Sequence, residues 1–370
     1  MRIAFSGGGT AGHLFPAIVV AQEIQRTDPE AEVLFIGTRK RLDAELLPKY
    51  GYAYELIDSQ GFPYGLSPKA LSSAWQLFRG FCQARRALKR FRPQAVFGAG
   101  GYVAAAVIPA ARSLGIPTII HASDALPDRA NRFLSRWATR ITVAWPAAQA
   151  FFPADRTECT GQPLREELFA VTREEAYGRL GLQPGLFTLL VTGGSQGARR
   201  LNEALLGALP ELLQAGDTQV LHLTGGIDYE TVQTRIQAMR EAGPAEALAR
   251  YHALPYLDDM GAAMRAADLV VMRCGASSVA EAVAFELPMV LVPLPAAGGH
   301  QRFNAEPLAE AGAGIIIDDA DLSGERLRDA VAGLRADPTR LAEMRAASAA
   351  CARPDAAKRI AEIVREAAEM

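Results

Sequence analysis

The sequence is short of several things, and each shortage removes a class of protein. Cysteine is scarce: Cys82, Cys159, Cys274 and Cys351 are the only four in 370 residues. No two make a CxxC pair, so neither a zinc site nor a disulfide framework is indicated. A reducing compartment is the simplest expectation. No run of 18 apolar residues occurs, so no membrane-spanning helix is expected, while attachment at a membrane surface stays open. The first residues, MRIAFSGGGTAG, lack the apolar stretch of a signal peptide. An excess of one charge is missing too. The formal net charge of −2 argues against a general nucleic-acid binder.

What is present has the make-up of a soluble globular enzyme, with 49% hydrophobic and 22% charged residues. A chain of 370 residues is too long for one ordinary core, which points to two α/β domains. Short apolar runs alternate with helical patterns throughout, the βαβ signature of doubly wound parallel sheets. In the first half strands are expected at Arg2–Ser6, Glu32–Ile36, Tyr54–Asp58, Ala95–Gly98, Pro117–His121 and Arg140–Ala144. In the second half they are expected at Phe187–Thr192, Gln219–Thr224, Tyr251–Pro255, Leu269–Arg273, Pro288–Pro293 and Gly314–Asp318. Six strands per half give two Rossmann-like domains, 1–162 and 163–345, joined where TGQPLR (Thr160 to Arg165) breaks the pattern. The helical tail, 346–370, offers a segment that returns to the first domain.

The most informative stretch runs from Gly275 to Asn304, GASSVAEAVAFELPMVLVPLPAAGGHQRFN. It follows a buried strand and turns into a helix that Ser277 or Ser278 can cap. Free N–H groups and the positive end of a helix dipole then face the carboxyl edge of a sheet, where open α/β folds bind ligands. Glu281 lies one turn in. It either complements the helix terminus or accepts two hydroxyls of a sugar diol. Gln301 and Asn304 offer amides for sugar hydroxyls, or are surface polar residues. Taken alone, the stretch suggests a nucleotide or sugar nucleotide.

Glycine clusters follow other strands. Gly7, Gly9 and Gly12 fit GxGxxG, but the second strand ends Phe35-Ile36-Gly37-Thr38-Arg39 without the carboxylate that NAD requires, though Arg39 leaves NADP open. His13 enters the next helix, where it suits a general base or simply packs. Gly98-Ala99-Gly100-Gly101-Tyr102 either admits a bulky polar ligand or makes a tight turn. His121, Ser123 and Asp124 end the fifth strand at the same edge. Gly193-Gly194-Ser195-Gln196-Gly197 is a phosphate-cradling turn without the GK[ST] of a P-loop, so lysine-assisted phosphoryl transfer is not indicated. Different in kind is Leu71 to Arg92, where Leu71, Trp75, Phe78, Cys82 and Arg85 recur at helical spacing, with Phe81 and Leu88 beside them. Arg79, Arg85, Arg86, Lys89, Arg90 and Arg92 supply charge. This reads as a basic helix in an anionic bilayer interface, or as a sheet-covering helix with a solvated face.

Together, GGTAGHLFPA, FGAGGYVAAA, TGGSQGARRLN, PYLDDM, GASSVAEAVAFELPMVLVP and HQRFNA resemble the MurG family. These are peripheral membrane N-acetylglucosaminyltransferases that convert lipid I to lipid II in peptidoglycan synthesis. The resemblance spans residue 1 to about residue 345. It implies the GT-B fold, two Rossmann-like domains facing across a cleft, with acceptor on the first and UDP-GlcNAc on the second. It implies that Thr10, Ala11 and Gly12 lie against the donor sugar, with His13 as base. Arg165 and Ser195 would hold donor phosphate or nucleotide, and Leu257 would offer its backbone to uracil. Ala276, Ser277, Ser278, Val279, Ala280 and Glu281 would wrap the nucleotide sugar, with Glu281 on the ribose and Gln301 on GlcNAc.

Asp124 also falls on the donor set, while Gly100, Gly101, Tyr102 and His121 fall on the acceptor side. Trp75, Phe78, Phe81, Arg85, Arg86 and Lys89 would meet an anionic membrane. UDP-GlcNAc and lipid I are the implied substrates, without a metal. The implied location is the cytoplasmic face of the cell membrane, with cell-wall and division proteins as candidate partners. Two departures stand out. The family's HEQN is here His121-Ala122-Ser123-Asp124, which puts a carboxylate beside anionic substrates. The loop before His300-Gln301 is Ala296-Ala297-Gly298-Gly299, with fewer side chains to offer. Other readings are a GT-B transferase with another acceptor, a UDP-sugar epimerase, or a non-catalytic UDP-sugar-binding scaffold.

Overall fold

Alternate residues of the first strand point to opposite faces, and both faces are dry. Ile3 and Phe5 join one core cluster and Ala4 another, all fully buried. This is the condition of a parallel strand covered by helices on both sides. In the computed structural model, which describes residues 1–8, 11–39, 47–59, 68–194, 197–243, 246–295 and 299–370, the chain divides into two units. One comprises Met1–Leu164 with Arg353–Met370, the other Arg165–Ala352. The divisions fall slightly beyond the expected boundaries. Thr10, Ser195 and the loop at 296–298 lie outside the described residues, as do the side chains of Ala11 and Leu71.

The first unit is built on β1 (Arg2–Ser6), β2 (Glu32–Thr38), β3 (Ala53–Ile57), β4 (Ala95–Gly98), β5 (Thr118–Ala122), β6 (Arg140–Val143) and β7 (Thr157–Cys159). The spatial order is β3-β2-β1-β4-β5-β6-β7, and the paired strands run parallel, as in β1 with β4. Seven strands replace the expected six, because β7 is three half-buried residues, Thr157-Glu158-Cys159, with no apolar run to reveal it. The closing helix Ala356–Ala368 belongs to this unit: Ile360, Ile363 and Val364 join the cluster of Ile3 and Phe5. Each such buried side chain contributes about 1.5–3 kcal/mol. Arg359 adds a two-pronged ion pair to Glu158 at 2.6 and 2.9 Å.

The second unit has β8 (Phe187–Thr192), β9 (Thr218–Leu223), β10 (Tyr251–Leu254), β11 (Leu269–Met272), β12 (Met289–Leu291) and β13 (Gly314–Ile316), ordered β10-β9-β8-β11-β12-β13. In both units the strand order reverses direction, between β1 and β4 and between β8 and β11. Doubly wound sheets open a ligand crevice at such a switch point. The glycine-rich turns of the sequence are the loops leaving those four strands.

Candidate functional site

In the first unit the switch point is occupied by His13, in the first turn of the helix Ala11–Thr27. Its Nδ1 lies 3.1 Å from the carbonyl oxygen of Ala99, just beyond β4. A carbonyl only accepts, so Nδ1 carries the proton and Nε2 is left as the basic nitrogen. The ring rests on Gly100 and Gly101, whose φ angles are +92° and +74°. A Cβ on Gly100 would stand 3.1 Å from Nδ1, and one on Gly101 would stand 3.0 Å from Cδ2. These glycines therefore make room for the histidine as well as for a ligand, a reason the sequence does not show. Gly12 and Tyr102 are half-buried nearby in the chain, with the Tyr102 ring against the core beneath.

His121 departs from its expected acceptor role. It is fully buried, and its ring nitrogens meet Thr142 Oγ1 and the Gln162 side-chain oxygen, both at 3.0 Å. Burial without a charged partner depresses its pKa to about 4, which keeps the ring neutral. No ring nitrogen remains for a substrate, so His121 stiffens the end of β5. The Asn131 amide donates to the His121 carbonyl at 3.2 Å, and Asp128 caps the short helix that carries Asn131. Asp124 is half-buried beyond β5.

In the second unit, two helices begin at the switch point without a side-chain cap. After β8, Gly197 N–H donates to the Gly194 carbonyl at 2.9 Å, closing a turn that leads to the helix Arg199–Gln214, N-capped by Ala198. Gly197, at φ +75°, passes so close to the next loop that a Cβ would stand 2.3 Å from the Thr224 carbonyl. That loop is held by Asn202, whose amide donates to Thr224 O at 2.9 Å and to Asp228 at 3.1 Å. Asn202 Oδ1 in turn accepts from buried His222, which accepts from Tyr251 Oη. Burial depresses the His222 pKa to about 3.

After β11, the helix Ala276–Ala284 starts at Gly275. Neither Ser277 nor Ser278 caps it, contrary to expectation, because both lie inside the first turn. Among the described residues no side chain opposes its free N–H groups, the arrangement that attracts phosphate. Val279 and Ala280 turn their side chains into the core, so only their backbone faces a ligand. Glu281 is half-buried in the next turn. Burial pushes its carboxyl up to about 7, against the pull of the Arg165 guanidinium. Leu257 is half-buried just before Asp259, which caps the helix Met260–Ala266.

Gln301 and Asn304 work differently from what the sequence suggests. Gln301 Oε1 accepts from the backbone N–H of Cys274 and of Leu294, both at 3.0 Å. Only its Nε2 side is left to face a sugar. Asn304 is fully buried and donates to the Cys274 carbonyl at 3.1 Å. A third clamp was hidden in the sequence. Arg273, at the end of β11, is buried and donates to the Val292 carbonyl at 3.2 Å while pairing with Asp319 at 2.6 Å. Together these three residues tie the turn after β11 to the loop after β12. An apolar run ending in arginine is the one signal that could have exposed Arg273.

The basic helix, Pro68–Phe91, shows a different buried face from the expected one. Ala84, Ala87 and Leu88 pack inward with Leu77 and Phe81 beside them, whereas Trp75 and Phe78 are 61% and 56% exposed. These two rings stack on each other, with centroids 5.9 Å apart. Arg85 leans back to Ser113 Oγ, while Arg86 and Lys89 face solvent. Among the described residues no helix is long and apolar enough to cross a membrane.

Two doubly wound units with glycine turns at their switch points have the architecture of the GT-B class, to which sugar-nucleotide-dependent transferases belong. Residues 3–143 match the Glycosyltransferase family 28 N-terminal domain, and residues 188–360 match the C-terminal domain of the same family. Two relatives carry the name UDP-N-acetylglucosamine--N-acetylmuramyl-(pentapeptide) pyrophosphoryl-undecaprenol N-acetylglucosamine transferase. The one from Desulforudis audaxviator is 40% identical, covering 100% of this chain and 99% of its own. The one from Citrifermentans bemidjiense is 42% identical, covering 97% and 98%. The crystal structure of MurG from Acinetobacter baumannii superposes with a TM-score of 0.77 at 29% identity, covering 99% of this chain and 100% of that one. The chain belongs to glycosyltransferase family 28, and within it to the MurG family. A UDP-GlcNAc 2-epimerase from Neisseria meningitidis, at 14% identity and TM-score 0.72, shares the fold alone.

Proposed function

We propose that this chain transfers GlcNAc from UDP-GlcNAc to the 4-hydroxyl of MurNAc in lipid I, giving lipid II with inversion at the anomeric carbon. The observation that carries the reading is the His13–Ala99 hydrogen bond, which orients the ring and makes Nε2 the basic nitrogen of the neutral imidazole at the first unit's switch point. His13 Nε2 takes the proton of the acceptor hydroxyl as its oxygen bonds to the anomeric carbon. The bond from that carbon to the diphosphate breaks, and UDP leaves with the electron pair. The backbone N–H groups at Ala198 and Gly275 meet the charge on the departing diphosphate. Glu281 holds the ribose hydroxyls, Arg165 lies on the phosphate side, Leu257 offers its backbone to uracil, and Gln301 Nε2 reaches the GlcNAc. Tyr102, Gly100 and Gly101 border the acceptor. Two helix termini supply the neutralisation a divalent metal would otherwise give, so the reaction is expected to run in excess chelator.

We further infer that the chain works at the cytoplasmic face of the membrane, held there by Trp75 and Phe78 with Arg86 and Lys89 beside them. Exposed stacked aromatics on a basic helix support this, because apolar rings and positive charge together favour an anionic lipid interface. The deciding experiment is transfer of labelled GlcNAc from UDP-GlcNAc to a short-chain lipid I analogue, beside a His13→Ala control. A β-linked disaccharide product formed by the wild type supports the reading. Donor hydrolysis or 2-epimerisation without transfer would replace it with an epimerase.

A further inference from the structure

The second unit holds a cavity of about 490 Å³ that takes no part in the reaction above. Its lining contains three arginines, Arg173, Arg265 and Arg345, and no aspartate or glutamate. In a chain whose formal net charge is −2, this is a marked local excess of positive charge. Arg173 is committed, with Asp268 at 2.5 Å and Tyr177 Oη at 2.7 Å. The other two are not. Among the described residues no carboxylate pairs with Arg265 or Arg345, and the Arg265 Nε is buried without a hydrogen-bond partner. The Arg265 guanidinium lies 4.8 Å over the Phe285 ring, which stacks on Phe169 at 5.1 Å. Stacking uses the face of a guanidinium and leaves its edge donors for an anion. Phe169 is 41% exposed, so a flat group can reach this aromatic pair from outside.

We propose that this cavity is a second anion site, taking a small phosphorylated metabolite with a flat apolar body. The phosphate sits between Arg265 and Arg345, and the flat body lies against Phe169. Phosphate is favoured because two unpaired guanidinium edges match its oxygens, while the aromatic wall selects against inorganic phosphate alone. The volume lies within the range of small-molecule sites. Phe285 also ends the helix Ala276–Ala284, whose other end is the donor-side terminus at Gly275. The two sites thus share one helix but no lining residue, so their occupants do not compete.

The test uses the full chain saturated with UDP, titrated by calorimetry with phenyl phosphate, inorganic phosphate and phenol separately. Phenyl phosphate is expected to bind at one site per chain, more tightly than either fragment. Arg345→Ala and Arg265→Ala should each weaken it about tenfold or more, as for lost hydrogen bonds to a charged group. Phe169→Ala should weaken phenyl phosphate and leave inorganic phosphate unchanged. UDP affinity and the melting temperature report that each variant keeps its fold, and Arg345, whose side chain has no bond among the described residues, is the safer substitution. The proposal is overturned if UDP-saturated protein shows no saturable binding at millimolar phenyl phosphate. It also fails if the arginine variants bind as well as wild type.

Discussion

The Nδ1 of His13 is 3.1 Å from the carbonyl oxygen of Ala99, and this one bond decides which ring nitrogen can do chemistry. Turnover of the His13→Ala variant is expected to fall by about 10²–10⁴, the usual worth of general-base catalysis. Its affinity for UDP should stay unchanged, because the residues assigned to the nucleotide, Arg165, Leu257 and Glu281, belong to the other unit. Steady-state kinetics with calorimetry separates the two quantities. Near-normal turnover would remove His13 from the mechanism.

Gly101→Ala tests the seat of that ring. The new Cβ would stand 3.0 Å from His13 Cδ2 at a φ of +74°. The left-handed backbone costs an L-residue about 1–2 kcal/mol, and the ring must tilt away from Ala99. Both kcat and melting temperature are expected to drop. Loss of stability with kcat intact would show that the glycine serves only its turn.

Glu281 predicts a pH dependence of donor binding. Its carboxyl is raised to about 7, so in the free protein it is protonated at pH 5 and ionised at pH 8. A raised carboxyl contributes stability that is fully present below its unfolded value of 4.5 and is lost as pH rises through about 7. The ionised form accepts two ribose hydroxyls, so uridine affinity should rise across the same interval. Uridine is the right probe because it carries no phosphate to titrate. Glu281→Gln should bind more weakly and with a flat profile; a sloping one would refute the assignment.

Arg273 and Asp319 form a buried pair beside the donor helix. Arg273→Met alone should cost about 1–3 kcal/mol, since Asp319 keeps only the more exposed Arg200 at 3.3 Å and the Val292 carbonyl loses its donor. Replacing both, as Arg273→Met with Asp319→Leu, should recover most of that stability. UDP affinity should stay low in the double variant, because the Val292 carbonyl has lost its donor. Denaturant melts and UDP titrations on the two variants read this directly, and recovery of both together would make the pair purely structural.

Each sheet buries a neutral histidine, His121 and His222, with pKa values depressed to about 4 and about 3. A depressed histidine contributes stability that is present above its unfolded value of 6.5 and is lost as pH falls through the folded one. Stability should therefore decline by a few kcal/mol per histidine as pH falls from 6.5, through about 4 for His121 and about 3 for His222. His121→Asn should flatten part of that slope, measured as denaturation midpoint against pH.

The sequence by itself determined the alternation of strands and helices, the glycine turns at the carboxyl ends of β1, β4, β8 and β11, and the placing of His13 in the first turn and Glu281 in the second turn of their helices. These are local matters: a two-residue or 3.6-residue period, and glycines where a side chain would collide, are written in neighbouring residues. Only the tertiary structure decided what the polar residues do. His121 and Asn304 look like ligands in sequence but are buried and bonded internally. Arg273 looks like the end of a strand but clamps the next loop. Trp75 and Phe78 share helical spacing with core residues, yet face outward. In each case the outcome depends on partners far away in the chain. Burial and hydrogen-bond satisfaction, which no local pattern encodes, set it.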